Sequence, residues 1–165
     1  MIFSFLFKKF EPVLIPYEAD KHLNLLYSWI SSDEIMRMYD LRITSKEEVE
    51  EWFKHDLIYL IQIDNTLAGY INLCDIDNSK GSAELGYMLI EKYRGKGYMN
   101  VPIEFMISKA RELKLKKLVA YTILGNVKSQ KILLKHGFVF AKKSIEPDWS
   151  HYDGEVEWNW YELTV

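Results

Sequence analysis

Apolar positions along the chain change period several times, and each change marks an element. Val13-Leu14-Ile15 is a short apolar run closed by Pro16, which predicts a strand. After Asp20, the residues Leu23, Leu26, Trp29 and Ile30 share one helical face, so a helix is predicted to open there. Ser45 and Glu48 stand at capping-box spacing ahead of the apolar stripe Val49, Trp52 and Phe53, announcing a second helix. Ile58 to Ile63 and Leu67 to Ile76 are β-rich runs separated by Asp64-Asn65, a good hairpin turn. A polar loop around Asp77 to Gly81 leads to a further strand, Ala83 to Ile90, so three strands meander antiparallel.

Past Gly97 the period is helical again, with Ile103, Met106, Ile107, Ala110 and Leu113 on one side. Pro102 falls early in that helix, where its missing N–H costs least. Leu118 to Ile123 reads as a strand, and Val127 to His136 as a short helix ended by Gly137. Val139 to Lys143 and Val156 to Leu163 close the chain as two paired strands. The predicted order is strand, two helices, three strands, helix, strand, helix, two strands, an α/β protein with a mixed sheet and helices on both faces.

Composition adds exclusions more than it adds identity. The 165 residues fit one domain spanning 1–165, with residues 1–12 left for an extra N-terminal strand or arm. Hydrophobic residues at 48% and charged residues at 27% argue against disorder. Eleven Tyr, eight Phe and five Trp supply apolar area for a core or for the wall of a ligand cleft. The net charge of −3, with no long basic run, gives nucleic-acid binding little support. It would suit a cationic substrate such as an amine.

Cys74 is the one cysteine, so no internal disulfide forms, and its apolar surroundings from Tyr70 onward predict a buried structural thiol. Met1 to Phe7 superficially resembles a signal peptide. Lys8 and Lys9 end it early, and no small-residue cleavage site follows. No apolar run approaches the ~20 residues of a membrane span, and a cytoplasmic location is expected. His22, His55, His136 and His151 lack ligand-like spacing, so no metal site is expected. His151 with Trp149 and Tyr152 forms either a substrate wall or ordinary surface packing.

The chemistry concentrates in Lys92 to Met99, which joins a strand to a helix. The first N–H groups of a helix lack intrahelical partners and carry partial positive charge. Gly95 and Gly97 let the backbone approach an anion closely, while Lys92, Arg94 and Lys96 add charge around it. A plain tight turn has the same Gly-x-Gly residues, and the fragment alone does not choose. It is not a Walker loop, whose spacing and final Lys-Ser/Thr pair are missing. Nor is it a dinucleotide fingerprint, because Asn100 stands where the third glycine belongs.

Three segments in order make the chain resemble the GNAT superfamily of N-acetyltransferases. Ala83-Glu84-Leu85-Gly86-Tyr87 is similar to the family's central strand, and Arg94-Gly95-Lys96-Gly97-Tyr98 to its Arg/Gln-x-x-Gly-x-Gly/Ala loop. Asn126-x-x-Ser129 with Lys135-His136-Gly137-Phe138 resembles its downstream coenzyme helix and following strand. These motifs span Ala83 to Phe138, and the pattern is nearest the branch of ribosomal-protein N-terminal acetyltransferases. The resemblance implies a mostly antiparallel sheet of six to seven strands, split between the central strand and its parallel neighbour, with acetyl-CoA in the gap.

It further implies that main-chain groups of Met88, Leu89 and Ile90 pair with the pantetheine arm. Backbone N–H groups of Arg94, Gly95, Lys96, Gly97, Tyr98 and Met99 hold the pyrophosphate, and Asn126 and Ser129 contact the pantetheine. Lys128, Lys131 and Lys135 are assigned either to the 3′-phosphate or to a solvated basic face. The implied reaction is direct attack of a neutral amine on the thioester. Glu84 is the first candidate base, acting through water or directly; Glu146 and Asp148, in the loop before the last strand, are the fallback.

Two residues depart from the family. Leu133 stands where many members carry a tyrosine that protonates the leaving thiolate; Ser129 resembles a serine given this role in the ribosomal branch, and is either that acid or a purely structural hydroxyl. Met99 stands where Gly or Ala is usual, and its side chain would crowd the coenzyme if it pointed inward. The acceptor is left as a protein N-terminus or a small amine of aminoglycoside or polyamine type. A non-catalytic CoA-binding module and a structural protein without coenzyme are the competing readings. The assembly is expected to be a monomer or homodimer.

Overall fold

The computed structural model describes residues 11–148 and 154–165. The readings placed on residues 1–10 and on Trp149, His151 and Tyr152 lie outside that range. Strands β1 (Val13–Pro16), β2 (Leu57–Ile63), β3 (Thr66–Asp77), β4 (Ser82–Leu89), β5 (Lys117–Ile123), β6 (Val139–Pro147) and β7 (Glu155–Thr164) form one sheet in the order β1-β2-β3-β4-β5-β7-β6. Every adjacent pair is antiparallel except β4 with β5. That mixed, mostly antiparallel α/β architecture is the one expected.

Helices α1 (Ala19–Ile30), α2 (Asp33–Tyr39) and α3 (Lys46–Phe53) precede β2, where only two helices were expected. The additional α2 has seven residues, too few for a repeating apolar stripe, and buries only Ile35 fully. Helix α1 starts two residues early: Glu18 is its cap, and Asp20 sits in the first turn beside the exposed N–H groups.

The capping box of α3 forms as predicted. Ser45 Oγ accepts from the Glu48 N–H at 3.2 Å, and the Glu48 carboxylate accepts in return from the N–H of Ser45. Replacing Ser45 with alanine is expected to cost about 1 kcal/mol. Thermal unfolding measures this loss; an unchanged midpoint would show that packing of Val49 and Phe53 alone holds α3.

Asp64 and Asn65 both take positive φ, at 50° and 59°, which closes the β2–β3 hairpin tightly. Two apolar clusters flank the sheet. One packs α4 (Asn100–Glu112) and α5 (Val127–Lys135) against Leu73, Leu85, Leu118 and Phe138. The other packs α1 and α3 against Leu60, Tyr70 and Met88. Residues alternate along β4, so Leu85, Tyr87 and Leu89 face the first cluster and Met88 the second.

A parallel pair needs a crossover, and α4 supplies it. The β4–β5 ladder comprises only Ser82 with Lys117, Ala83 with Leu118 and Glu84 with Val119. Beyond Glu84 the two strands separate, and Leu85 to Leu89 leave the sheet along an unpaired margin. This is the split that positions the site. Among the described residues, no helix is long and apolar enough to cross a membrane.

Candidate active site

Two cavities open on the split. The larger, about 440 Å³, is lined by Met88 and Leu89 of β4, by Gly95, Gly97, Tyr98 and Met99, and by Lys128, Lys131 and Lys135 of α5. Gly95 and Gly97 sit at φ of 72° and 77°, a region in which only glycine is unstrained, and they turn the chain into α4. Among the described residues, no group takes a hydrogen bond from the N–H of Gly95, Lys96, Gly97, Tyr98 or Met99. Five consecutive donors at the start of a 13-residue helix make an anion cradle.

The charge around the cradle has a different source from the one expected. Arg94 lines the cavity, but its guanidinium is committed elsewhere, donating from Nε to the Leu89 carbonyl at 2.6 Å and pairing with Glu34 of α2. Lys96 donates to the Lys92 carbonyl at 2.6 Å, and Lys92 lies over the Tyr93 ring. The three α5 lysines line the same cavity, and Lys135 also donates to Asn100 Oδ1 at 2.6 Å. Ile90 and Lys96 are absent from the lining, and the Ile90 N–H is committed to the Ala68 carbonyl at 2.8 Å.

Met99 is 6% exposed and packs into the core, so its side chain does not crowd the cradle. Asn126 caps α5, accepting from the Ser129 N–H at 3.2 Å, which explains their three-residue spacing.

The second cavity, about 170 Å³, has the opposite character. Asp56, Asp75 and Glu84 line it together with Trp52, Phe53, Tyr70, Tyr121 and Trp158; among the described residues, no lysine, arginine or histidine joins them. Burial pushes the Glu84 carboxyl up to about 7, and the charges of Asp75 and Asp56 add to the rise. The Tyr121 hydroxyl and Cys74 thiol beside it offset part of the shift. Cys74, Asp75 and Glu84 bring their polar atoms within 4.8 Å of one another.

Asp56 is pushed to about 6, mainly by burial, against a 2.7 Å hydrogen bond from Asn72 Nδ2. Gly86 sits opposite Asn72 in the ladder, and a Cβ there would lie 2.4 Å from Asn72 Oδ1, so a larger residue would displace the Asn72 amide. Cys74 lines the cavity, but burial keeps its pKa far above the usual thiol range. It stays a thiol, but it is half-buried beside Asp75 and Glu84 rather than buried among apolar residues as expected.

Met38, Tyr39, Tyr87, Asn126 and Ser129 line both cavities. There the Tyr87 hydroxyl lies 2.7 Å from Ser129 Oγ, and the Tyr39 hydroxyl donates to the Tyr87 carbonyl. Leu133 is fully buried beside them and lines the smaller cavity. Glu146 lies within β6 rather than in a loop, and Asp148 follows its end; neither lines either cavity.

The sequence reading missed Tyr39, Asp56, Asn72 and Tyr121, and gave Tyr87 no role. Only Tyr87 carried a signal, because strand alternation puts it on the α5 side of β4.

A split sheet with an anion cradle at its mouth defines a coenzyme-dependent transferase architecture, and the comparisons name its family. The model of the acetyltransferase (GNAT) domain matches residues 13–139, and the chain belongs to that family. A Bacillus subtilis (strain 168) protein named "Putative ribosomal N-acetyltransferase YdaF" is 31% identical over 82 residues. That match spans 49% of this chain and 45% of the relative, about half of each.

Among solved structures, the spermidine N-acetyltransferase of Vibrio cholerae, in complex with CoA and spermine, superposes with a TM-score of 0.81 at 19% identity, covering 93% of this chain and 95% of that one. The ribosomal-protein-alanine N-acetyltransferase of Brucella melitensis gives 0.77 at 15% identity, covering 93% and 99%. At such identities the likeness is one of fold.

Proposed function

We infer that this chain transfers the acetyl group of acetyl-CoA directly to the primary amine of a small cationic acceptor. The observation that carries this reading is the meeting of a lysine-lined cavity and an acid-lined cavity across Tyr87, Asn126 and Ser129. The five unpaired N–H groups from Gly95 to Met99 suit the coenzyme's pyrophosphate, and Lys128, Lys131 and Lys135 suit its 3′-phosphate. The margin of β4 at Met88 and Leu89, which no strand pairs and where the Leu89 carbonyl already accepts from Arg94, suits the amides of the pantetheine arm. Asn126, with its Oδ1 committed to the cap, keeps an amide donor for that arm.

On the acceptor side, a protonated amine entering among Asp56, Asp75 and Glu84 finds charge complementarity. It must lose a proton before it attacks. Glu84, raised to about 7, accepts that proton near neutral pH. The amine lone pair forms the N–C bond, and the C–S bond electrons leave on sulfur, toward Ser129. The two apolar clusters on one sheet also support a single domain.

The relative named for ribosomal acetylation favours a second reading, in which the acceptor is a protein N-terminus. A panel of diamines, polyamines, aminoglycosides and N-terminal peptides, assayed by CoA release, separates the two. Turnover of the dicationic amines is expected, and replacing Asp56 with asparagine should raise their KM about tenfold with kcat kept. Peptides outrunning every small amine would establish the second reading. Coenzyme binding with no turnover on any acceptor would leave a binding module.

A further inference from the structure

Leu133 presents no O–H, so the group facing the departing sulfur has to come from elsewhere. Ser129 is fixed in place by its N–H bond to Asn126 Oδ1, but a lone serine hydroxyl rotates freely and can spend its proton on any nearby acceptor. Its neighbour removes that freedom. Tyr87 lies on β4, held by pairing with Ile71 of β3 and by the Tyr39 hydroxyl on its carbonyl, with its ring packed against the α4–α5 cluster.

Its hydroxyl reaches Ser129 Oγ at 2.7 Å across 42 residues of sequence. Among the described residues, Ser129 is the one acceptor that this phenol reaches. Burial holds the Tyr87 pKa up at about 12, so the phenol keeps its proton throughout the working range.

We propose that Tyr87 is a positioning residue for the leaving group: its phenol donates to Ser129 Oγ and thereby turns the serine proton toward the thioester sulfur. This rests on the acetyl-transfer reading above. The step balances without a proton from tyrosine. The ammonium gives its first proton to Glu84 before attack. Nitrogen then gains the acetyl carbon as the C–S electron pair goes to sulfur, and the second N–H proton neutralises the departing thiolate. The developing thiolate receives a hydrogen bond from Ser129, strengthened because Ser129 is itself an acceptor.

Strand alternation separates the two proton-handling groups. Glu84 meets the amine among Cys74, Asp75 and Asp56, while Tyr87 and Ser129 address the sulfur from the α5 side. The tyrosine that many family members place at the position of Leu133 is replaced here by a pair, one hydroxyl to touch the sulfur and one to aim it.

The test compares Tyr87→Phe, Ser129→Ala and the double variant in the full chain, with acetyl-CoA and the best amine from the panel. Tyr87→Phe is expected to lower kcat about tenfold, the rate equivalent of one hydrogen bond, with KM for acetyl-CoA and the thermal midpoint unmoved. The double variant should be no slower than Ser129→Ala alone, because the tyrosine acts only through the serine. Full-rate turnover by Tyr87→Phe, or a further tenfold loss on adding it to Ser129→Ala, overturns the proposal. Should Tyr87→Phe fail to fold, Ser129→Ala decides: an undiminished kcat there removes the hydroxyl that Tyr87 is argued to aim. Wild-type protein that turns over no amine is a separate result, sinking the transferase reading itself.

Discussion

Replacing Gly97 with tryptophan is expected to raise the dissociation constant for acetyl-CoA at least about 100-fold, which corresponds to some 2.7 kcal/mol. Two effects combine. Gly97 sits at φ of 77°, where any side chain strains the turn into α4. The five N–H groups from Gly95 to Met99 work only if an anion reaches the backbone, and an indole at the centre of that run blocks the approach. The loop is exposed at this position, so the variant should keep its fold, which circular dichroism checks. Calorimetric titration with acetyl-CoA gives the readout, and an unchanged affinity would remove the cradle from the coenzyme site.

Glu84→Gln should lower kcat about 100-fold while leaving the dissociation constant for acetyl-CoA within a factor of two. The pH profile is the sharper measure. A carboxyl pushed up to about 7 is protonated below that pH and idle as a base, so wild-type kcat should rise as pH increases through about 7. Glutamine has no such titration, and that limb should vanish in the variant. If the variant keeps both the full rate and the limb, the base lies elsewhere. Asp56, at about 6, and Asp75 would then be the groups to replace, since both line the acid-lined cavity and Glu146 does not.

Much of this site is legible in one dimension because its parts are local. The cradle is a contiguous loop, and the cap and hydroxyl of α5 lie three residues apart at Asn126 and Ser129. The strands from Leu57 to Leu89 read clearly because their apolar runs are bounded by turn residues with positive φ or by polar loops. Three kinds of feature did not read. Helix α2 is shorter than two full heptads and carries no periodic stripe. Strand β6 is exposed on nearly every residue, so no alternation marks where it ends, and in the sequence Glu146 reads as loop.

Charge was misplaced for a related reason. Arg94 and Lys96 adjoin the cradle in sequence but spend their donors on carbonyls and on Glu34, while the lysines of α5 arrive from more than 30 residues downstream. Proximity along the chain says little about where a long, flexible cation puts its head group.

The three-pair ladder between β4 and β5 also bears on how the molecule coheres. The half made of β1 to β4 and the half made of β5, β7 and β6 share little backbone bonding, so they lean on α4, α5 and whatever fills the wedge between them. An occupant that bonds to the margin from Leu85 to Leu89 acts as a missing strand. At a concentration 100 times its dissociation constant, such an occupant stabilises the folded chain by about 2.7 kcal/mol. Under the acetyl-CoA reading, the cell's supply of activated acetyl groups would then help set the protein's own resistance to unfolding and proteolysis, as well as its rate.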